Sequence, residues 1–410
     1  MELREYQNRI STEAATKLQE YGCCYLSMEC RTGKSLTALA TAQKYGAKKV
    51  LFISKLKALP SIQGDYELLK PDFELTTINF ESAHKVNGNY DLTVIDEAHS
   101  LGAFPKPSKR TEAIKVLCGE LPVLFLSGTP SPESYSQLYH QFWVCTQSPW
   151  KKYKDFYKWA KDYVNVQPKK VNGYPLNDYS ETNKAKIDSD TKHLFISYSQ
   201  EQAGFETTIK EEMLEVRMLS STKQLFATLK KNRVTEVRGN IILADSPAKL
   251  LSKLHQVSSG TVIAEDGTHI LLDGSKAMFI RDKFKGKKLA IFYTFQSEFD
   301  LLRQVFPNWT DSPEDFQVSN DKIFISQVRR AREGVRLDSA DALVFYNLEF
   351  SYLSYEQGRN RLVSKERQGD VCVYFVCSDF GLEKEVLKAV HGKQDFTLSW
   401  YNKHSRVERE

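Results

Sequence analysis

The stretch Cys23 to Met28 is an apolar run that passes through a glycine-lysine turn into Leu36-Thr37-Ala38-Leu39-Ala40-Thr41-Ala42, which is a strand, a loop and a helix in succession. The same grammar recurs at Val50 to Ile53, Leu92 to Ile95 and Val123 to Leu126, and again at Leu289 to Tyr293, Lys322 to Ser326, Ala342 to Tyr346 and Val371 to Cys377. Short, continuous apolar runs are the signature of strands buried on both faces, and helical segments between them predict a parallel sheet covered by helices. Two such blocks predict two α/β lobes. A chain of 410 residues also exceeds what one hydrophobic core usually holds, and 41% apolar with 27% charged residues is a globular composition.

Between the blocks the character changes. Trp143 to Val166 is rich in aromatics and lysines, Gln167 to Asp190 is polar and turn-prone, and Glu211 to Leu272 is charged and mostly helical in pattern, with a hairpin centred on Asp266-Gly267. The expected division is an N-terminal lobe at 1–145, a helical insertion and interlobe region at 146–240, a C-terminal lobe at 241–400 and a charged tail at 401–410. No apolar run approaches the roughly 18 residues that cross a bilayer, and the start lacks a signal-peptide profile, so a soluble, cytoplasmic chain with no membrane partner is expected. The seven cysteines form no C-x-x-C pair and are expected to be reduced and mostly buried. A net charge of +5 does not by itself demand a polyanionic partner, so local clusters matter more: Lys151 to Lys170, Arg281 to Lys288 and Arg329 to Arg336.

Three clusters carry chemistry. In Met28-Glu29-Cys30-Arg31-Thr32-Gly33-Lys34-Ser35 the residues Arg31, Thr32, Gly33, Lys34 and Ser35 sit where a phosphate-binding loop belongs. There the backbone amides cradle phosphate, Lys34 neutralises it and the Ser35 hydroxyl reaches Mg²⁺. Met28 stands where the full pattern has its first glycine. In Val94-Ile95-Asp96-Glu97-Ala98-His99 an apolar strand delivers two carboxylates at its C-terminal end, Asp96 to hold Mg²⁺ and Glu97 to activate water. Ser127-Gly128-Thr129-Pro130 follows a third strand.

These residues resemble the motifs of superfamily 2 helicases: Thr32-Gly33-Lys34-Ser35 is similar to motif I, Asp96-Glu97-Ala98-His99 to the DEAH form of motif II, and Ser127-Gly128-Thr129-Pro130 to motif III. Leu3-Arg4-Glu5-Tyr6-Gln7 resembles the segment whose glutamine reads adenine, which assigns that role to Gln7. Ala331-Arg332-Glu333-Gly334-Val335-Arg336-Leu337 resembles motif V, and Tyr355-Glu356-Gln357-Gly358-Arg359-Asn360-Arg361 resembles motif VI. The resemblance implies two RecA-like lobes of P-loop NTPase fold, with Gly334 and Gln357 near the nucleotide. It makes Arg361 the first-choice arginine at the γ-phosphate. The usual second arginine falls on Ser364, leaving Arg359, Lys365 and Arg367 as alternatives.

Leu289 to Phe295, Lys253 to Gly260 with Lys276, and Asn79-Phe80-Glu81 resemble segments of Swi/Snf-type ATPases, in a compact form similar to those of phages and mobile elements. The resemblance implies ATP and Mg²⁺ as cofactors, DNA (duplex foremost, RNA left open) as partner, and a monomeric translocase. It places nucleic-acid contacts at Ser54, Lys55, Asn79, Phe80, Arg329, Arg330 and Arg332, and it implies that Lys34 and Arg361 converge on one nucleotide. Trp150, Tyr153, Tyr157 and Trp159 among lysines either stack on bases or pack the insertion's own helices, the second being the better reading. Two alternatives stay open: a strand-separating DNA or RNA helicase, and a nucleic-acid-binding scaffold with a degenerate nucleotide site.

Overall fold

The computed structural model describes residues 2–171, 174–331, 335–364, 367 and 369–392. Arg332 and Gly334, Lys365 and the tail at 401–410 lie outside the described residues. The chain divides into two compact units, Met1–Gly204 and Phe205–Glu410.

The first unit contains β1 (Cys23–Met28), β2 (Lys49–Ser54), β3 (Glu74–Asn79), β4 (Leu92–Ile95), β5 (Val123–Leu126), the hairpin β6 (Gln167–Val171) and β7 (Tyr174–Asp178), and β8 (Phe195–Tyr198). Six of these form one sheet in the order β3-β2-β4-β5-β1-β8, with every pairing parallel. The central strands are buried along their whole length, as their unbroken apolar runs require.

The second unit contains β9 (Thr208–Val216), the hairpin β10 (Val234–Val237) and β11 (Asn240–Leu243), the hairpin β12 (Thr261–Ile263) and β13 (His269–Leu271), β14 (Leu289–Tyr293), β15 (Trp309–Thr310), β16 (Ile323–Gln327), β17 (Ala342–Phe345) and β18 (Asp370–Ser378). Its sheet, β15-β16-β14-β17-β18-β9, is again six-stranded and parallel throughout. The expected fold class, two RecA-like parallel-sheet lobes, is thus met by one such sheet in each unit.

Both sheets set the start of neighbouring strands by the same device. Asp91, just before β4, accepts from the amides of Lys48 and Lys49 at 2.7 and 2.8 Å and donates its own amide to Lys49 at 2.8 Å. Asp341, just before β17, accepts from the Lys288 amide at 2.7 Å and donates to the Lys288 carbonyl at 2.7 Å. Each carboxylate satisfies backbone groups at a strand end that lack a ladder partner.

The segment expected to form an insertion at 146–240 is divided between the units. Its first part packs onto the first sheet: Trp150 and Trp159 are buried, the Trp150 indole donates to Asp190 at 3.2 Å, and Trp159 stacks on Tyr163 at 5.0 Å. These aromatics build core, while Tyr157 stays exposed. β8 then completes the first sheet and β9 the second. The helical pattern read into Glu211 onward is replaced at its start by β9. There the alternation is masked by Lys210, Glu211, Glu212 and Glu215, an edge strand being free to carry charge. Those charges find partners: Lys210 pairs with Asp370, Glu215 with Lys384, and Glu211 with Arg359 at 3.1 Å.

Among the described residues no helix is long and apolar enough to cross a membrane. Five of the seven cysteines are buried, and no disulfide joins any two of them.

Candidate active site

Because the first sheet is parallel, the C-terminal ends of β1, β5 and β4 open on one edge, with β5 between the other two. Each delivers one of the three polar clusters. After β1 the chain makes a tight turn in which the Thr32 hydroxyl donates to the Glu29 carbonyl at 2.8 Å. It then passes through left-handed Arg31 (φ 64°) and Gly33 (φ 78°) into the helix Lys34–Tyr45. Gly33 caps that helix without a side-chain hydrogen bond. The amides of its first turn therefore face outward, unmatched within the helix, at the positive end of its dipole. Lys34 Nζ donates to the carbonyls of Met28 at 3.0 Å and Glu29 at 3.1 Å, so the ammonium spans the loop mouth.

After β4, Asp96 is buried, accepting from the Ser54 hydroxyl at 2.7 Å and the Glu97 amide at 3.0 Å. Burial and the neighbouring Glu97 push its carboxyl up to about 6, against the opposing pull of the Ser54 hydrogen bond and the Lys34 ammonium. Glu97 sits in the left-handed region (φ 51°), a costly conformation for a residue with a Cβ, and one that recurs where a side chain must be aimed.

His99 links the second cluster to the third. Its Nδ1 lies 3.2 Å from Glu97 Oε2 and 2.9 Å from Ser127 Oγ, and that hydroxyl also accepts from the Thr129 amide at 3.1 Å. Next to it, Gly128 runs against the loop after β1: a Cβ there would lie 3.2 Å from the Met28 carbonyl and 3.6 Å from the Cys30 amide. The three clusters therefore share one small region.

These groups fit Mg²⁺ and a polyphosphate. Outward amides at a helix start suit phosphate oxygens, and the Lys34 ammonium rests on carbonyls it can leave. Asp96, whose ionisation is held back by burial and a like charge, would be returned to the ionised form by a cation beside it. Ser35, in the first helical turn, is the hydroxyl next to that lysine.

Several expected site residues are held by contacts within the chain. Gln7 is buried; its Oε1 accepts from the Arg4 amide at 3.1 Å and its Nε2 faces the Gly33 carbonyl at 3.5 Å, so it also braces the loop after β1. Ser54 is fully buried on Asp96. Phe80 is buried under the Arg110 guanidinium, 5.1 Å from its ring centre, and Asn79 Oδ1 accepts from the Ser82 amide at 3.0 Å, capping a short helical turn. Lys55 is half-buried at the end of β2.

In the second unit, the helix Tyr352–Arg359 carries Gln357, which is buried and whose Oε1 has no hydrogen-bond partner among the described residues. Arg361 is buried and its Nε donates to the Gln357 carbonyl at 2.8 Å. Arg359 pairs with Glu356 at 2.9 Å and Glu211 at 3.1 Å, which ties it to the β9 edge. Arg367 donates to the carbonyls of Asp338 and Ala340 at 2.8 and 2.6 Å, a structural clamp. Arg329 and Arg330 are exposed; Arg329 reaches the buried Glu349 at 2.7 Å, which also accepts from Ser354 at 2.6 Å.

No protein-family model matches the chain, and no curated protein matches it. Among solved structures, it is similar to the Sulfolobus solfataricus SWI2/SNF2 ATPase core in complex with dsDNA at 15% identity, over 96% of this chain and 91% of that one, with a TM-score of 0.41. It is similar to the Sulfolobus solfataricus SWI2/SNF2 ATPase core domain at 15% identity, over 96% of this chain and 89% of that one, also with a TM-score of 0.41.

Proposed function

We propose that the chain is a nucleic-acid-stimulated ATPase that translocates on DNA, duplex DNA foremost. The observation that carries this reading is the meeting of Lys34, Asp96, Glu97, His99 and Ser127 at one edge of one sheet, beside an uncapped helix start. Bound Mg²⁺ would neutralise phosphate charge and orient the phosphoryl group for attack by water. Around it the chain's own residues divide the work. The first-turn amides and Lys34 hold phosphate oxygens, and Asp96 and Ser35 hold the metal. Glu97, aimed by its left-handed backbone and by His99, accepts the proton of the attacking water. Arg329 and Arg330 offer exposed guanidiniums to phosphates of the polymer.

The His99-Ser127 bond supports coupling: motif III touches both the carboxylate cluster and, through Gly128, the phosphate loop, so a change at either is felt by the other. The test is steady-state ATPase activity with duplex DNA, single-stranded DNA and RNA at two salt concentrations, beside triplex displacement and strand displacement. Stimulation by duplex that weakens with salt, with triplex but not strand displacement, supports the reading. Strand displacement makes it a helicase in the unwinding sense. Absence of ATPase activity with every polymer refutes it.

A further inference from the structure

The loop after β1 is held from an unexpected side. The Glu29 amide donates to the Tyr198 carbonyl at 3.0 Å, continuing the β1-β8 ladder past its last paired residues. The Gln200 amide then donates to the Glu29 carboxylate at 2.7 Å, and the Gln200 side-chain Nε2 donates to the Cys30 carbonyl at 2.9 Å. The turn that presents Gln200 is itself braced, since the Gln202 Oε1 accepts from the Ser199 amide at 2.9 Å and the Tyr198 hydroxyl donates to the Gln202 carbonyl at 2.7 Å. Tyr198 also stacks on Tyr6 at 4.6 Å, and the Tyr6 hydroxyl donates to the Thr32 carbonyl at 2.9 Å. Four links, the last of them through Tyr6, thus tie residues 198–202 to residues 29–32.

Two physical consequences follow. A carboxylate at Glu29, inside a loop that is to hold phosphate, repels the ligand unless it is turned away. The Gln200 amide holds it on the 199–202 turn. Second, residues 198–202 end two positions before the last residue of the first unit, Gly204, after which the chain enters the second at Phe205. The loop is therefore fastened to the segment through which the two units are covalently joined.

We propose that Glu29 and Gln200 form a latch that positions the phosphate loop and links its occupancy to the connecting segment. The latch rests on the proposed nucleotide site, and its residues are positioning residues that need not touch the nucleotide. The loop lacks the first glycine of the usual pattern, with buried Met28 in its place, and it takes its shape from these outside bonds as well as from its own backbone.

The test uses the full chain with a fluorescent N-methylanthraniloyl ATP and Mg²⁺. Gln200→Ala removes the bond to Cys30 and Glu29→Ala the bond to the Gln200 amide. Each is expected to weaken binding by about fivefold, the effect of one ordinary hydrogen bond, with a matching rise in KM and little change in kcat. Glu29→Gln retains an acceptor for the Gln200 amide and is expected to bind as wild type. In wild type, nucleotide is expected to slow amide hydrogen exchange across 199–204, and Gln200→Ala to abolish that protection at saturating nucleotide. A merely structural role for Gln200 would not produce this nucleotide-dependent difference. Unchanged binding in Gln200→Ala, or exchange at 199–204 indifferent to nucleotide in wild type, overturns the latch while leaving the ATPase reading intact. Failure of wild type to bind the probe at all removes both.

Discussion

Replacing Asp96 by asparagine should make the protein more stable while disabling it. Asp96 is buried, and burial with the adjacent Glu97 raises its carboxyl from 3.8 to about 6. A raised carboxyl means that folding favours the protonated form, so stability falls as pH climbs from the unfolded value through the folded one. The shift is about two units, and at about 1.4 kcal/mol per unit the ionised carboxylate costs the fold on the order of 3 kcal/mol above pH 7. About half of that remains at pH 5, and little below pH 4. Asparagine keeps both hydrogen bonds: its oxygen accepts from the Glu97 amide, and its NH₂ donates to the Ser54 hydroxyl, which now serves as acceptor. The buried Ser54 O–H gives up the acceptor that Asp96 supplied, so about 1 kcal/mol of the gain from removing the charge is offset. Urea unfolding followed by tryptophan fluorescence reports mainly on the first unit, which holds Trp143, Trp150 and Trp159. Without nucleotide or Mg²⁺, Asp96→Asn is expected to exceed wild type by about 1–2 kcal/mol at pH 8, and by little at pH 5. A difference that does not change with pH, or a variant less stable than wild type at pH 8, would refute the reasoning.

His99→Ala removes the ring that joins Glu97 to Ser127, so kcat for ATP hydrolysis is expected to fall about tenfold or more with KM for ATP nearly unchanged; a rise in KM at constant kcat would contradict that role. Trp159→Ala empties a fully buried site among Tyr139, Trp150 and Tyr163, and is expected to cost about 3–5 kcal/mol in urea unfolding of the first unit; a loss under about 1 kcal/mol would mean that these aromatics do not build its core. Lys34→Ala should leave far-UV circular dichroism unchanged while weakening binding of the fluorescent ATP at least tenfold, and retained affinity would exclude Lys34 from the phosphate site.

The central strands were legible because burial on both faces leaves a continuous apolar run: Cys23–Met28, Leu92–Ile95, Val123–Leu126 and Leu289–Tyr293 have in the structure the ends that their residues suggest. The hairpin around Asp266-Gly267 was equally readable, since Gly267 takes a positive φ (87°) that a turn demands. Edge strands were not. β8 and β9 each bury only part of their residues, and the charges on β9 are matched by Arg359, Asp370 and Lys384, residues more than a hundred positions away. Pattern reading sees local alternation and cannot see such partners. For the site, the glycine-lysine turn, the paired carboxylates and the serine-glycine turn each carried a local signature, and the parallel topology gathers them. The Ser54 bond to Asp96 and the Gln200 bonds to the loop carried none. A serine at a strand end and a glutamine after an edge strand acquire their roles only from what the fold sets opposite them.

The most direct measurement of the proposed site compares nucleotide binding with turnover in Glu97→Gln. The amide keeps the side chain's size and its place beside His99 but cannot take the proton of an attacking water. The variant is expected to bind the fluorescent ATP with Mg²⁺ as wild type does and, with duplex DNA present, to hydrolyse ATP at least roughly a hundredfold more slowly. Hydrolysis near the wild-type rate by purified Glu97→Gln would contradict the assignment of these residues as an ATPase site.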